Sequence, residues 1–238
     1  MFRLALVSYL PFMCSVASAD WLMPVDQTRY VSAEASYFEG AEIEETDEEF
    51  IEAVDFGPFD ATASAEVAGG AAWAAGNARQ RSQFASDLIH LSAELDMAAE
   101  GFVGETGGFG EVDSYTQFTF AVDEPLTYTL SGYFSARMGE PYDTHAWSYV
   151  ELEDQDGGQV FYCFFDDPEE PTPVDFFDSG TLPPGMHMLT AVSHADVEEA
   201  YDLDEVDSEL SLDFTVVPEP ATLPAILVGI LLRGRRRR

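Results

Sequence analysis

The chain has 238 residues, 45 of them acidic and 10 basic, and a formal net charge of −35. It contains no lysine. Such an acidic surface repels the phosphates of nucleic acid and attracts cations, which excludes a nucleic-acid-binding protein. A hydrophobic content of 46% excludes a disordered chain.

Residues 1–19 have the features of a secretory signal peptide. Arg3 precedes an apolar stretch, and the small residues Ala17 and Ala19 stand where a signal peptidase requires small side chains. The pattern predicts export, with cleavage after Ala19.

The body, residues 20–217, is dominated by apolar residues at every second position, the pattern of half-buried strands. Strands are predicted over 31–37, 61–67, 89–95, 118–122, 126–130, 147–152, 160–165, 186–192 and 210–216. The short polar segments between the fourth and fifth strands, and between the sixth and seventh strands, predict two β-hairpins. Many short strands separated by turns predict an all-β protein, an antiparallel β-sandwich of jelly-roll type.

Some segments of the body give weaker signals. The alanine-rich segment 68–81 is interrupted by glycines and is compatible with a loop, a short helix or a flat strand. The acidic runs 42–49 and 198–209 are predicted to be solvated loops. The glycine-rich segment 101–110 is predicted to be a flexible connection, so two subdomains meeting there are an alternative to one sandwich.

The last residues, 218–238, combine Pro218-Glu219-Pro220, an apolar run over 221–232 and a terminal arginine cluster. The arginines favour the cytoplasmic side of a membrane, although twelve apolar residues make a short segment beside the roughly 20 that a spanning helix needs. Motif, order and position resemble the PEP-CTERM sorting signal of Gram-negative bacteria. The resemblance implies a membrane transpeptidase, exosortase, that cuts near Pro218-Glu219-Pro220. It also implies transient anchoring in the inner membrane through the short hydrophobic helix, followed by release or re-attachment at the cell surface.

No catalytic motif is present in the chain. His90, His145, His187 and His194 lack metalloprotease spacing, and no nucleophile elbow or phosphate-binding loop occurs. His187 and His194 are seven residues apart, which places them on opposite faces of a strand. Each histidine is predicted to be a surface or edge residue, and no catalytic residue, cofactor or metal ligand is assigned.

Calcium is the one metal that the sequence brings into consideration. Asp154, Asp156 and Gly157 offer oxygen atoms in a tight turn, and more carboxylates follow at Asp166, Asp167, Glu169 and Glu170. Their spacing does not match an EF-hand or a glycine-rich repeat. Ordinary hairpin-turn chemistry is the default interpretation.

Processing would leave Cys163 as the only cysteine, so no internal disulfide is expected in the exported chain. Its neighbours are aromatic and aliphatic. Cys163 is therefore predicted to be a buried core thiol.

These features favour a non-catalytic protein of the cell surface or extracellular matrix, sorted by an exosortase-type enzyme and associated with exopolysaccharide. The alternative is a carbohydrate-binding module, in which Trp73, Trp147, Tyr142 and Tyr149 form an aromatic platform. Core packing explains the same aromatic residues equally well. A hydrolase with an unrecognised site is a third interpretation, because the abundant carboxylates identify no particular pair.

Overall fold

The computed structural model of the chain describes residues 21–39, 42–69, 72–101, 106–138, 144–166, 173–200 and 203–218. The predicted signal peptide, Glu219, Pro220 and the apolar run of the tail lie outside the described residues. Pro218, the first residue of the predicted sorting motif, is the last residue of a strand. No helix within the described ranges has the length and apolar character needed to cross a membrane.

Most of the described residues lie in strands, and the strands are numbered in chain order. The strands are β1 (Met23–Glu39), β2 (Glu42–Glu52), β3 (Phe59–Gly69), β4 (Ala72–Phe84), β5 (Leu88–Glu100), β6 (Thr106–Val122), β7 (Leu126–Met138), β8 (Thr144–Asp154), β9 (Gln159–Asp166), β10 (Val174–Leu182), β11 (Gly185–Ala200) and β12 (Asp204–Pro218).

The strands build two six-stranded antiparallel sheets. Sheet A has the order β2-β1-β6-β11-β8-β9, and sheet B has the order β10-β7-β12-β5-β4-β3. From β5 onward the chain passes to the other sheet at each connection except the β8–β9 hairpin. The order β6-β11-β8-β9 facing β5-β12-β7-β10 is that of an eight-stranded jelly roll, which β1 to β4 extend at one side. The predicted antiparallel β-sandwich of jelly-roll type is confirmed.

Alternation of apolar and polar residues along the strands gives each sheet a buried face and an exposed face, as the sequence predicts. In β5, for example, Ile89, Leu91, Ala93 and Leu95 point inward and are at most 2% exposed. The inward residues form two clusters. One contains large side chains from β5 to β12, and the other is rich in alanine and lies under β1, β3, β4 and the start of β6.

A buried arginine closes the interior near β1. Arg29 is 0% exposed, and its guanidinium donates hydrogen bonds to the carbonyl oxygens of Asp55 and Gly57 in the β2–β3 connection. The group lies 5.5 Å from the ring centre of Phe59 and 5.2 Å from that of Phe118. Burial lowers the pKa of Arg29, partly offset by the charge of Asp55, yet a guanidinium keeps its proton at neutral pH. Arg29 thus fastens the β2–β3 connection to the core.

One predicted hairpin is wrong and the other is confirmed. β6 and β7 lie in different sheets, so the turn between 118–122 and 126–130 crosses the sandwich instead of joining paired neighbours. Both strands do bury the predicted residues, because alternation reports which face is buried and carries no information about which strand is the neighbour. β8 and β9 are hydrogen-bonded partners as predicted.

Most of the described residues of both acidic runs lie in strands, so their prediction as loops is wrong. The first forms β2 at the edge of sheet A, where its carboxylates remain in solvent. The second runs from the end of β11 into β12, where Val206 and Leu210 point inward while Glu205 and Asp207 point outward. Charge excludes a buried face and still permits a half-exposed or edge strand.

The two glycine-containing segments also contain strands. Of the alternatives open for 68–81, the strand is the one observed, as the end of β3 and most of β4. The second half of the predicted connection over 101–110 is the beginning of β6, and 102–105 lie outside the described residues.

Candidate functional site

A line of aromatic residues crosses the outer face of sheet A. The pairing register places Tyr30 opposite Tyr115, Tyr115 opposite Val192, Val192 opposite Tyr149, and Tyr149 opposite Phe164. These five positions belong to β1, β6, β11, β8 and β9, and their side chains point away from the core because their sequence neighbours point inward. The line therefore runs perpendicular to the strands and joins residues from five different strands.

Three more aromatic residues widen the line. Phe50 of β2 lies 5.0 Å from Tyr30, Trp147 of β8 lies 6.2 Å from Tyr149, and Tyr162 of β9 lies 6.2 Å from Tyr149, all between ring centres. We use the name aromatic row for Phe50, Tyr30, Tyr115, Val192, Tyr149, Trp147, Tyr162 and Phe164.

Ring planes are nearly parallel in two pairs of the row and are tilted by 35° in the Tyr30–Phe50 and Tyr149–Tyr162 pairs. Tyr30 and Tyr115 are stacked with ring centres 5.2 Å apart and planes 8° apart, and the planes of Trp147 and Tyr149 differ by 11°. The ends of the row are open to solvent, with Phe50 60% and Phe164 50% exposed. These side chains form a broad apolar surface that is most accessible at its two ends.

The phenols of Tyr30, Tyr115 and Tyr149 stay neutral at physiological pH. Burial raises the pKa of Tyr30, Tyr115 and Tyr149 above the usual value of 10.0, and nearby carboxylates and phenols raise that of Tyr30 and Tyr149 further. The rings consequently combine an apolar face with a hydroxyl group that can donate and accept hydrogen bonds.

Polar side chains border the row on one side. The register continues from Thr28 of β1 through Gln117 of β6 and Thr190 of β11 to Glu151 of β8. The amide of Gln117 lies 3.5 Å from the hydroxyl of Thr190, and the amide of Gln159 donates to Glu151 at 2.9 Å. This border offers hydroxyl, amide and carboxylate groups next to the aromatic surface.

A histidine held between two carboxylates borders the row on the other side. His194 Nδ1 lies 2.7 Å from Asp113 and Nε2 lies 3.0 Å from Asp196, while the imidazole stacks on Trp147 with ring centres 5.1 Å apart. Burial lowers the pKa of His194, but the hydrogen bonds and charges of Asp113 and Asp196 outweigh it and raise the pKa to about 9. His194 is therefore an imidazolium at neutral pH, fixed against Trp147.

Of the four aromatic residues predicted to form a platform, the structure brings two together. Trp147 and Tyr149 lie side by side in the aromatic row, so core packing does not explain them. Trp73 lies on β4 in the other sheet, where its indole nitrogen donates to Glu100 at 2.8 Å. Tyr142 lies outside the described residues.

The remaining aromatic members of the row are not predicted from the sequence. Tyr30, Tyr115 and Tyr162 occupy the outward phase of their strands, at positions where polar residues otherwise alternate with the apolar core residues. An aromatic residue in the polar phase of a strand is the signal that identifies each of them singly. Their assembly into one row depends on the strand order.

The predicted positions of the histidines are partly correct. His187 and His194 do point to opposite faces of β11. The prediction of a surface position for His187 is wrong, because it is 2% exposed, with Nε2 donating to the Pro183 carbonyl at 2.9 Å and its ring 5.8 Å from that of Phe120. His90 is partly exposed and bonded to Asp213 at 2.7 Å.

The candidate calcium ligands of the β8–β9 turn serve the turn itself. One carboxylate oxygen of Asp154 accepts from the backbone amides of Asp156 at 2.9 Å and Gly158 at 2.8 Å. Gly157 has a φ of 72°, a conformation that favours glycine. Over the described residues, no three histidine, cysteine, aspartate or glutamate side chains are grouped so that they could hold a metal ion. Asp167, Glu169 and Glu170 lie outside those residues.

Sheet B carries a second candidate site, a shallow cleft on its outer face. Asp96 and Asp207 face each other across β5 and β12, and their mutual hydrogen bond, burial and repulsion raise the pKa of Asp96 to about 6. Glu209 accepts a hydrogen bond from Tyr133. The partner of Asp96 in this cleft is thus a second carboxyl group, and that of Glu209 is a phenol.

Cys163 is less buried than the sequence predicts. It points inward from β9 and packs against the larger core cluster, yet it remains partly accessible. Burial raises the pKa of its thiol, which keeps the sulfur protonated and slow to react.

No family model matches the chain, and no curated protein matches it. The enzymatically active domain of tailspike protein 4 from bacteriophage CBA120 is 14% identical with a TM-score of 0.26, over 60% of this chain and 19% of that chain. A structure of infectious bursal disease virus, strain Gx, is 9% identical with a TM-score of 0.24, over 84% and 57%. The VP2 subviral particle of that virus is 11% identical with a TM-score of 0.23, over 87% and 59%. The chain thus spans less than two thirds of each of these structures.

Proposed function

We propose that this chain is a non-catalytic, exported protein that binds polysaccharide on the outer face of sheet A. The observation that carries the proposal is the aromatic row, which crosses the sheet from β2 to β9. Pyranose rings present flat C–H faces that stack on aromatic rings, and their hydroxyl groups need hydrogen-bonding partners at the sides. The row supplies the rings, and the bordering Gln117 and Glu151 supply the partners.

The direction of the row favours an extended polymer over a single sugar. Neighbouring strands are roughly 4.8 Å apart, which is close to the length of one pyranose unit in an extended chain. A polysaccharide lying across the strands therefore meets successive strands with successive sugars. Tyr30, Tyr115, Tyr149 and Phe164 would each contact a different sugar.

The ligand that fits this face is uncharged. Glu34, Glu111, Asp113 and Asp196 lie along one border of the row, and Glu151 lies along the other. Anionic polysaccharides would be repelled by this border and by the net charge of the whole chain. Neutral glucans and mannans meet no such penalty.

The proposal also includes export and sorting. The signal-like segment 1–19 and the tail 218–238, with its resemblance to the PEP-CTERM signal, support delivery to the cell surface through an exosortase-type enzyme. Intact mass spectrometry of the protein from its native envelope or medium tests this part. A mass that ends near Pro218-Glu219-Pro220 is expected, and a chain that keeps its terminal arginines would contradict it.

Binding is tested by affinity electrophoresis of the full chain in gels containing soluble neutral glucan, galactomannan or alginate. The neutral polymers should retard the protein and alginate should not. Trp147→Ala should raise the dissociation constant for the neutral polymers roughly tenfold, about 1.4 kcal/mol, because it removes a large stacking surface. Trp73→Ala, in sheet B, is the matched control and should bind like the wild type. If no polysaccharide retards the protein, or if the two variants weaken binding equally, the proposed site is wrong.

A further inference from the structure

The four edge strands of the sandwich differ in charge. β2 carries acidic side chains along most of its length, β3 carries Asp60 and Glu66, and β10 carries Asp175 and Asp178. Charged side chains on an edge strand prevent it from pairing with another chain. Three edges of the molecule are therefore protected against association.

β9 has no such protection over most of its length. The segment 160–165 contains no charged residue and consists of valine, aromatic residues and one cysteine. Tyr162 and Phe164 point outward and are 49% and 50% exposed, whereas Phe161 and Phe165 point inward against the larger core cluster. β9 pairs with β8 on one side, and no described residue pairs with its other side. Its free backbone N–H and C=O groups lie along that side.

Electrostatics determines which copy-to-copy contacts are possible. Two molecules that each carry a formal net charge of −35 repel one another over most of their surfaces. Contact is favourable only where the facing surfaces carry little charge, because desolvating unpaired carboxylates is costly. Among the described edges, β9 has the longest run without a charged side chain and meets this condition best.

We propose that β9 is an interface through which two copies of this chain pair edge to edge. Antiparallel pairing about a two-fold axis gives both copies the same contact and satisfies the free backbone groups of each. Sheet A of one copy then continues into sheet A of the other.

One register fits the side chains of β9. When the pairing is centred on Cys163, Tyr162 lies opposite the partner's Phe164 on the outer face, and Phe161 lies opposite the partner's Phe165 on the inner face. The same register keeps Asp166 away from the partner's Asp166. The aromatic row of one copy then joins that of the other, which would double the length of polysaccharide in contact.

The test is sedimentation velocity of the purified full chain over a range of concentrations. A dimer is expected, and its affinity should rise with added salt because salt screens the repulsion between copies. Phe164→Glu and Tyr162→Glu should each raise the dissociation constant more than tenfold.

Phe50→Glu is the matched control, since Phe50 is also an exposed aromatic residue on the outer face of sheet A but belongs to the opposite edge strand. It should leave the dimer intact, and circular dichroism should show that all three variants are folded. A wild type that stays monomeric at every concentration would overturn the interface, and so would equal loss of dimer in all three variants. Polysaccharide binding by a monomer would leave the proposed function standing and reject only the dimer.

Discussion

At the scale of single residues, His194 shows how an acidic surface can hold a positive charge. Its two nitrogen atoms face Asp113 and Asp196, and Trp147 covers one side of the ring. The side chain is only 15% exposed, so water screens these contacts weakly. The native state consequently binds the proton of His194 more tightly than the unfolded chain does.

This proton binding predicts a pH dependence of stability. Because the pKa is raised from 6.5 to about 9, the contribution of His194 is complete below pH 6.5 and is lost as the pH rises through about 9. His194→Gln should therefore reduce the free energy of unfolding at pH 6 by up to about 3 kcal/mol more than at pH 10. Urea unfolding of both proteins at the two pH values measures the difference.

His145→Gln is the control for this experiment, because His145 lies on the same outer face and its side chain is 43% exposed. His145→Gln should cost less than His194→Gln at pH 6, because the more exposed ring of His145 lies 4.0 Å from one carboxylate, that of Glu198. A stability difference between wild type and His194→Gln that is the same at pH 6 and pH 10 would show that the ion pair does not form.

At the scale of secondary-structure elements, the close approach of the two sheets depends on glycines in β6. A Cβ atom placed on Gly108 would lie 2.3 Å from the carbonyl oxygen of Trp73 and 3.1 Å from the Cβ atom of Ala99, both in sheet B. One placed on Gly110 would lie 2.4 Å from the terminal methyl group of Met97. The alanine-rich cluster beneath these strands leaves the same short distance between the layers.

The contact predicts that a side chain at this position separates the sheets. Gly108→Val should lower the free energy of unfolding by about 3 kcal/mol, because the obstructing atoms belong to the backbone and cannot rotate away. Ala121→Val, which adds volume to the outer face of the same strand, should cost little. Chemical denaturation of the two variants gives the comparison, and similar losses would contradict the close approach.

The buried face of a strand can be predicted from the sequence, whereas the neighbouring strand in the sheet cannot. The inward residues of β5, β7 and β12 are predicted correctly, because the period of two is a property of a single strand. The hairpin between β6 and β7 is predicted wrongly, because strand pairing depends on residues distant in sequence. β2 is not predicted, because a run of carboxylates is typical of a loop, although an edge strand can keep both faces in water.

At the scale of the whole molecule, the dominant feature is the excess of negative charge. The described arginine side chains outside the core, Arg79, Arg81 and Arg137, lie on strands of sheet B, so the outer face of sheet A is mainly acidic and aromatic. Mutual repulsion of carboxylates destabilises the compact state and weakens as salt is added. The folded state should therefore be more stable at higher ionic strength.

The charge predicts a salt dependence of thermal stability. The melting temperature should rise as sodium chloride is increased from 0.05 M to 1 M, with most of the rise at the low end, because the Debye length falls from about 10 Å at 0.1 M to about 3 Å at 1 M. Differential scanning calorimetry measures it. The same series at pH 4, where more carboxylates are protonated, should show a smaller rise, and a melting temperature that falls with salt at pH 7 would contradict the prediction.

The sequence by itself determines the all-β class, the buried face of most strands and the acidic surface, because each depends on local alternation or on composition. It also supplies the resemblance of 218–238 to a sorting tail. Only the tertiary structure determines the strand order and, with it, the aromatic row. Tyr30, Tyr115 and Tyr149 are far apart in the chain, and they join Phe164 in one row because the strand order β2-β1-β6-β11-β8-β9 places β1, β6, β8 and β9 in one sheet.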